Sequence, residues 1–173
     1  MKYPELDYLE FFVTPFQLEL ENIELDNLPL GKYNHAVVVG RFQPLHYGHV
    51  YLIKQALQLA GRVTIGIGSA NVTDEDNPWT PEQRQYMLEK AIKSEGISRI
   101  DKIVYLDDIK DDHIWVTEAL KKIGKVDAII GNNEWVNGCF EDVGIESRQV
   151  PLLQRGIYRG KRIRAFLRQV GKL

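Results

Sequence analysis

The run Gly40-Arg41-Phe42-Gln43-Pro44-Leu45-His46-Tyr47-Gly48-His49 gathers a cation, a pair of imidazoles and glycines within ten residues. It follows a short apolar run and opens a segment of helical periodicity. At a helix start the free backbone N–H groups and the positive end of the dipole favour an anion, phosphate above all. His46 and His49 are three residues apart, so both can point at one anion there. Gly48 between them lets a ligand come close to the backbone. A single histidine in this place would be read as a helix cap. A pair flanking a glycine, directly after a strand, points to phosphate chemistry instead. A second group of cations lies near the C-terminus: Arg148, Arg155, Arg159, Lys161, Arg162, Arg164, Arg168 and Lys172, with no Asp or Glu among them. Arg159 to Arg164 open the last predicted helix and are read as phosphate contacts.

The elements that must position these residues alternate. Ala36–Val39 and Val63–Gly68 are wholly or nearly apolar and read as buried strands, as do Lys102–Leu106, Val126–Ile130 and Ser147–Leu152. Between them, helical spacing marks roughly 47–60, with Val50, Ile53, Leu57 and Ala60 on one face. Thr80-Pro81-Glu82-Gln83 is a capping box with proline in the first turn, and its helix carries Met87, Leu88, Ala91 and Ile92 to Gly96. Asp111 or Asp112 caps a helix through Trp115 to Gly124, Trp135–Phe140 is a short helix, and 160–170 is the last one. Buried strands alternating with helices predict an α/β fold, a Rossmann-like, doubly wound, five-stranded parallel sheet. In such a sheet ligands bind beyond the carboxyl ends of the strands, where the 40–49 run falls.

Residues 1–31 differ from the domain predicted at 32–173. They are acidic, with Lys2 the only base, yet carry Tyr3, Tyr8, Phe11, Phe12 and Phe16. They read as an extension that packs on the domain or a neighbouring subunit in an expected homo-oligomer, with a short strand from Phe16 to Leu20. The chain of 173 residues has an ordinary globular composition and a net charge of −2, which argues against a nucleic-acid partner despite the basic C-terminus. Cys139 is the only cysteine, so neither an intrachain disulfide nor a cysteine zinc site is available. It reads as a small buried residue, and Trp79 and Trp135 read as packing or loop anchors. No signal peptide or apolar run of membrane-spanning length is visible, and a cytoplasmic location is expected.

The string GRFQPLHYGH resembles the HxGH nucleotidyltransferases, and within them the archaeal-type nicotinamide mononucleotide adenylyltransferases. The resemblance runs from about residue 35 to 170. It takes in Ile67-Gly68-Ser69-Ala70, Asn77-Pro78-Trp79-Thr80 leading to Arg84, Asp108-Ile109 before Trp115-Val116, Gly131-Asn132, and Tyr158 through Arg164. It implies a five-stranded parallel sheet and an enzyme that joins the AMP part of ATP to a mononucleotide 5′-phosphate, releasing pyrophosphate. By the same resemblance His46, His49 and Arg164 are catalytic. The ATP contacts are Gly40, Arg41, Phe42, Gln43, His46, Gly48, His49, Gly131, Asn132, Arg159, Gly160, Lys161 and Arg164. Arg41, Ser69, Asp112 and Trp115 receive the mononucleotide, with Trp115 stacking on the base and Asp112 accepting from its carboxamide. Mg²⁺ would bridge ATP oxygens and water, with no dedicated protein metal site. A related transferase with another phosphate acceptor (phosphopantetheine, flavin mononucleotide or a phospho-alcohol) and a catalytically silent nucleotide-binding regulator are the alternatives. The chain departs from the family pattern at Tyr47, often basic there, and at Arg159-Gly160-Lys161, where hydroxyl residues are usual. It also departs at Asp74-Glu75-Asp76, in a loop where the family carries an arginine.

Overall fold

Five parallel strands form one sheet in a computed structural model that describes residues 2–13, 30–153 and 156–173. The strands are β1 (Tyr33–Gly40), β2 (Ala60–Ile67), β3 (Ile100–Tyr105), β4 (Ala128–Ile130) and β5 (Glu146–Arg148), in the spatial order β3-β2-β1-β4-β5. The chain winds outward from β1 through β2 to β3, then returns to the other side of β1 for β4 and β5. The order therefore reverses between β1 and β4, the place where a doubly wound sheet opens a crevice at its carboxyl edge. Side chains of β1 alternate between the faces. Ala36 and Val38 join an apolar core on one face; Val37 joins a second core on the other.

The helices are α1 (Glu10–Val13), α2 (Tyr47–Leu59), α3 (Pro81–Ser94), α4 (Asp112–Ile123), α5 (Glu134–Glu141) and α6 (Gly160–Gln169). The first core is closed by residues of α2, α3 and α6, the second by residues of α4 and α5. The α3 start forms as its sequence predicts: Thr80 Oγ1 accepts from Gln83 N–H at 3.3 Å, and Gln83 Oε1 accepts from Thr80 N–H at 3.0 Å. Asp111 rather than Asp112 caps α4, accepting from Ile114 N–H. No helix among the described residues is long and apolar enough to cross a membrane.

Two elements differ from the sequence expectation. β5 stops at Arg148 instead of running to Leu152. Beyond it the Asn132 side chain takes over the ladder, accepting from Val150 N–H at 3.1 Å and donating to Val150 C=O at 2.8 Å. The N-terminal segment is helical where it is described, with a 3-10 turn over Pro4–Leu9 running into α1. Leu6, Leu9 and Phe12 are buried in the first core, and Lys90 of α3 pairs with Asp7 at 3.1 Å and with Glu10. Two of the segment's acidic residues thus have a partner on the domain. The predicted strand Phe16–Leu20 lies outside the described residues.

Candidate active site

The crevice is built first by the loop between β1 and α2. Phe42 there has φ +52°, and Ser69, just after β2, has φ +49°. A non-glycine residue held in the left-handed region costs on the order of 1 kcal/mol or more, so something must hold each in place. That is Arg84 of α3, whose side chain has no solvent exposure. Its guanidinium donates to the carbonyls of Arg41 at 2.8 Å, Gly68 at 2.7 Å and Ser69 at 3.2 Å. One buried cation thus pins the carboxyl ends of both strands. Burial lowers its pKa from 12.5 to about 10, which leaves it charged at neutral pH. Gln43 ties the loop to the segment before α3, donating to Trp79 C=O at 2.9 Å and accepting from Trp79 N–H at 3.1 Å.

At the start of α2 the imidazoles of His46 and His49 stack, with ring centroids 3.7 Å apart and planes 22° from parallel. Phe42 packs edge-on against His49 at 4.9 Å. Burial lowers the pKa of His46 from 6.5 to about 4, and burial beside His46 holds that of His49 well below its ordinary value. Both rings are therefore neutral at pH 7. His49 Nδ1 accepts from His46 N–H at 3.3 Å, which puts the proton of neutral His49 on Nε2 and makes that edge a donor. His46 Nδ1 is buried without a hydrogen-bond partner. Gly48 has a packing reason as well: a Cβ there would lie 3.1 Å from both the His46 ring and Tyr158 Cβ.

Three cavities meet in the crevice. One of about 280 Å³ lies over the histidines, lined by Phe42, Gln43, Gly160, Lys161, Arg164 and Asp76. One of about 580 Å³ runs from Gly48 and Leu52 past Asn132, Pro151 and Leu153 to Tyr158, Arg159 and Lys161. One of about 370 Å³ lies on the far side of β1, lined by Gly40, Ser69, Asp108, Ile109, Trp115 and Trp135. Arg41 lines all three.

The sequence-predicted residues fall into these cavities with few exceptions. Arg164 is buried; its Nη1 donates to Gln43 C=O at 2.7 Å and its Nη2 pairs with Asp76 Oδ1 at 2.7 Å. This approach needs Gly160, where a Cβ would sit 2.7 Å from the Gln43 carbonyl oxygen. Trp115 is buried with one edge in the third cavity, its ring centroid 4.8 Å from that of Trp135. Asp112 is not among the residues that line these three cavities; its carboxylate accepts from Trp135 Nε1 at 3.1 Å. Gly131 is not among the residues lining these three either; its carbonyl accepts from Asn137. In its place Asp108 reaches the third cavity, accepting from Ser69 Oγ at 3.0 Å.

Sequence reasoning missed Arg84 and Trp135 as parts of the site. Arg84 left a signal, since it falls on the face of α3 that carries Met87, Leu88 and Ala91, where a lone cation must meet buried acceptors. Asp76 lies in the acidic loop that departs from the family pattern, so its place near the site was legible, while its pairing with Arg164 was not. Among the described residues no group of three or more His, Cys, Asp or Glu side chains is gathered to hold a metal ion.

The cytidylyltransferase-like family model matches residues 37–158. The nicotinamide-nucleotide adenylyltransferase of Methanolobus tindarius is 37% identical over 130 residues, covering 75% of this chain and 74% of that protein. That of Archaeoglobus fulgidus is 35% identical over 134 residues, covering 75% and 77%. Among solved structures, the bifunctional NMN adenylyltransferase/ADP ribose pyrophosphatase from Francisella tularensis, complexed with AMP and a manganese ion, superposes with a TM-score of 0.66 at 27% identity. That match covers 79% of this chain and 42% of the longer protein.

Proposed function

Because this chain belongs to the cytidylyltransferase-like family of nucleotidyltransferases, we propose that it transfers the adenylyl group of ATP to the 5′-phosphate of nicotinamide mononucleotide, forming NAD and pyrophosphate. The observation that carries this reading is the junction at Arg41. Joining two nucleotides through their phosphates needs one pocket for each nucleoside and a donor-lined space between them. Here the largest cavity takes the adenosine end and the cavity beside Trp115 and Trp135 takes the mononucleotide base. The space over His46 and His49 takes the polyphosphate, and Arg41 stands at the junction.

The chemistry asks little covalent work of the protein. The attacking phosphate is already ionised at neutral pH, so no general base is required. What remains is to align it with the α-phosphorus of ATP and to stabilise the charge that moves onto the leaving pyrophosphate. His49 Nε2–H, the backbone N–H groups at the start of α2, Lys161 and Arg164 are the donors for that charge. Neutral imidazoles suit the task, because they donate without exchanging protons near pH 7. Arg41 holds the mononucleotide phosphate in line. Asp108, held by Ser69 Oγ–H, offers an acceptor to the base substituents, and Trp115 and Trp135 supply its apolar wall. Mg²⁺ would enter as part of the substrate, with ATP, and would supply charge neutralisation to the polyphosphate. We assign the activity to residues 32–173 and place the enzyme in a reducing compartment, the cytoplasm, where the buried free Cys139 is stable.

The test is incubation with ATP, Mg²⁺ and a panel of phosphate acceptors, following pyrophosphate release and NAD. The expected result is NAD from nicotinamide mononucleotide at a rate well above every other acceptor. Pyrophosphate release with phosphopantetheine, flavin mononucleotide or a phospho-alcohol alone would overturn the choice of acceptor.

A further inference from the structure

The loop Asp74-Glu75-Asp76 puts a carboxylate into a cavity otherwise lined by cations and neutral donors. In that cavity Asp76 is the only anionic side chain among the described residues, against Arg41, Lys161 and Arg164. Its Oδ1 lies 2.7 Å from Arg164 Nη2. The partners are unequal: the Asp76 side chain is 68% exposed and that of Arg164 is 4% exposed. Arg164 is fixed by the Gln43 carbonyl, and its Nε is buried with no hydrogen-bond partner. Arg164 is therefore a prepared anion receptor, and Asp76 is the anion at hand. The carboxylate can leave at small cost, because solvent receives it on the exposed side.

The turn that presents Asp76 does not depend on its carboxylate. Asp74 Oδ1 accepts from Asp76 N–H, Asn77 N–H and Asn77 Nδ2, each at 2.8 Å. A second tie, from Arg168 to Glu75 C=O, also uses backbone. Asp76 is thus held in place by its neighbours while its own charge is spent on Arg164.

We propose that Asp76 is an internal competitor of the ATP polyphosphate, whose carboxylate must leave Arg164 before a phosphate can take its place, and that it thereby weakens and sets the affinity for the ATP tail. The proposal rests on the reading of this cavity as the polyphosphate site. It makes Asp76 a residue that tunes affinity. The carboxylate both occupies the guanidinium and repels an incoming polyphosphate anion within a few ångströms. An exposed ion pair and a like charge at ~4–6 Å together predict roughly three- to tenfold tighter binding once the carboxylate is neutralised.

The experiment is calorimetric titration of the full chain with inorganic tripolyphosphate, without nucleotide or acceptor, with and without Mg²⁺. The proteins are the parent, Asp76→Asn, Asp76→Ala and Glu75→Gln. Both Asp76 variants should bind about three- to tenfold more tightly than the parent, and Glu75→Gln should match the parent. Equal tightening by Glu75→Gln would overturn the proposal, because the effect would then be loop charge and not the ion pair. Unchanged or weaker binding by the Asp76 variants, with or without Mg²⁺, would also overturn it. Parent and variants that all fail to bind tripolyphosphate would refute the polyphosphate assignment itself, and the proposal with it.

Discussion

Acid should destabilise this protein over a window set by the histidine pair at the start of α2. In the unfolded chain an imidazole takes up a proton near pH 6.5. In the folded protein His46 resists it down to about pH 4, because the imidazolium would be stripped of water against His49, Tyr158 and the helix start. Above 6.5 the ring is neutral in both states and its contribution is complete. As pH falls from 6.5 to about 4, the unfolded chain binds a proton that the folded protein does not, and stability drops. At 1.36 kcal/mol for each pH unit, His46 alone accounts for ~3 kcal/mol across that window, and His49 acts in the same direction. Urea unfolding followed by tryptophan fluorescence at about pH 7.5, 5.5 and 4.5 measures it, with His46→Asn as the non-titrating reference. The parent should lose ~2–3 kcal/mol more than His46→Asn over the range. Asp127 and Glu146, whose hydrogen bonds hold their pKa values low, lose their contributions only below the ordinary carboxylate range, and equally in both proteins. Parallel loss in parent and variant would refute the burial argument and the neutral-donor role that follows from it.

Three further outcomes are expected. His49→Ala removes the donor edge over the second phosphate-facing position and should lower turnover by about 10²–10³, read from initial rates of pyrophosphate release at saturating substrates. Arg84→Leu leaves the carbonyls of Arg41, Gly68 and Ser69 without their buried donor and should destabilise the protein by at least ~3 kcal/mol in urea unfolding; a loss under ~1 kcal/mol would show that the strand ends hold themselves. Leu9→Ala should cost ~2–4 kcal/mol in the same measurement, since the side chain is buried against the core; no change would show the N-terminal segment to be a passive attachment.

The elements that the sequence revealed are those whose causes are local. The Thr80 capping box, the apolar run of β1 and the His46–His49 spacing each act within a few residues, and each forms as read. What stayed hidden is contact between distant segments. Asp112 is the instructive case. It sits three residues before Trp115, so the helix turns both to one side. The ring that fills the space beside them comes from α5, and nothing in α4 announces it. The ion pair of Asp76 with Arg164 spans 88 residues and joins a loop that reads as a departure from the family pattern to a helix that reads as a phosphate contact. The order β3-β2-β1-β4-β5 likewise follows from which faces remain to be covered, a property of the assembled sheet. These distant contacts share a character. Each fixes a donor or acceptor that would otherwise be free to turn: Arg84 on the strand-end carbonyls, Asn132 on Val150, Gln43 on Trp79. A reaction that needs no proton transfer from the protein and no covalent intermediate depends on such fixing more than on any reactive group. For an in-line displacement between two bound nucleotides, the rate is governed by how little the donors must reorganise as charge moves to the leaving group. A motif of ten residues can supply the donors, and the rest of the fold is required to hold them still.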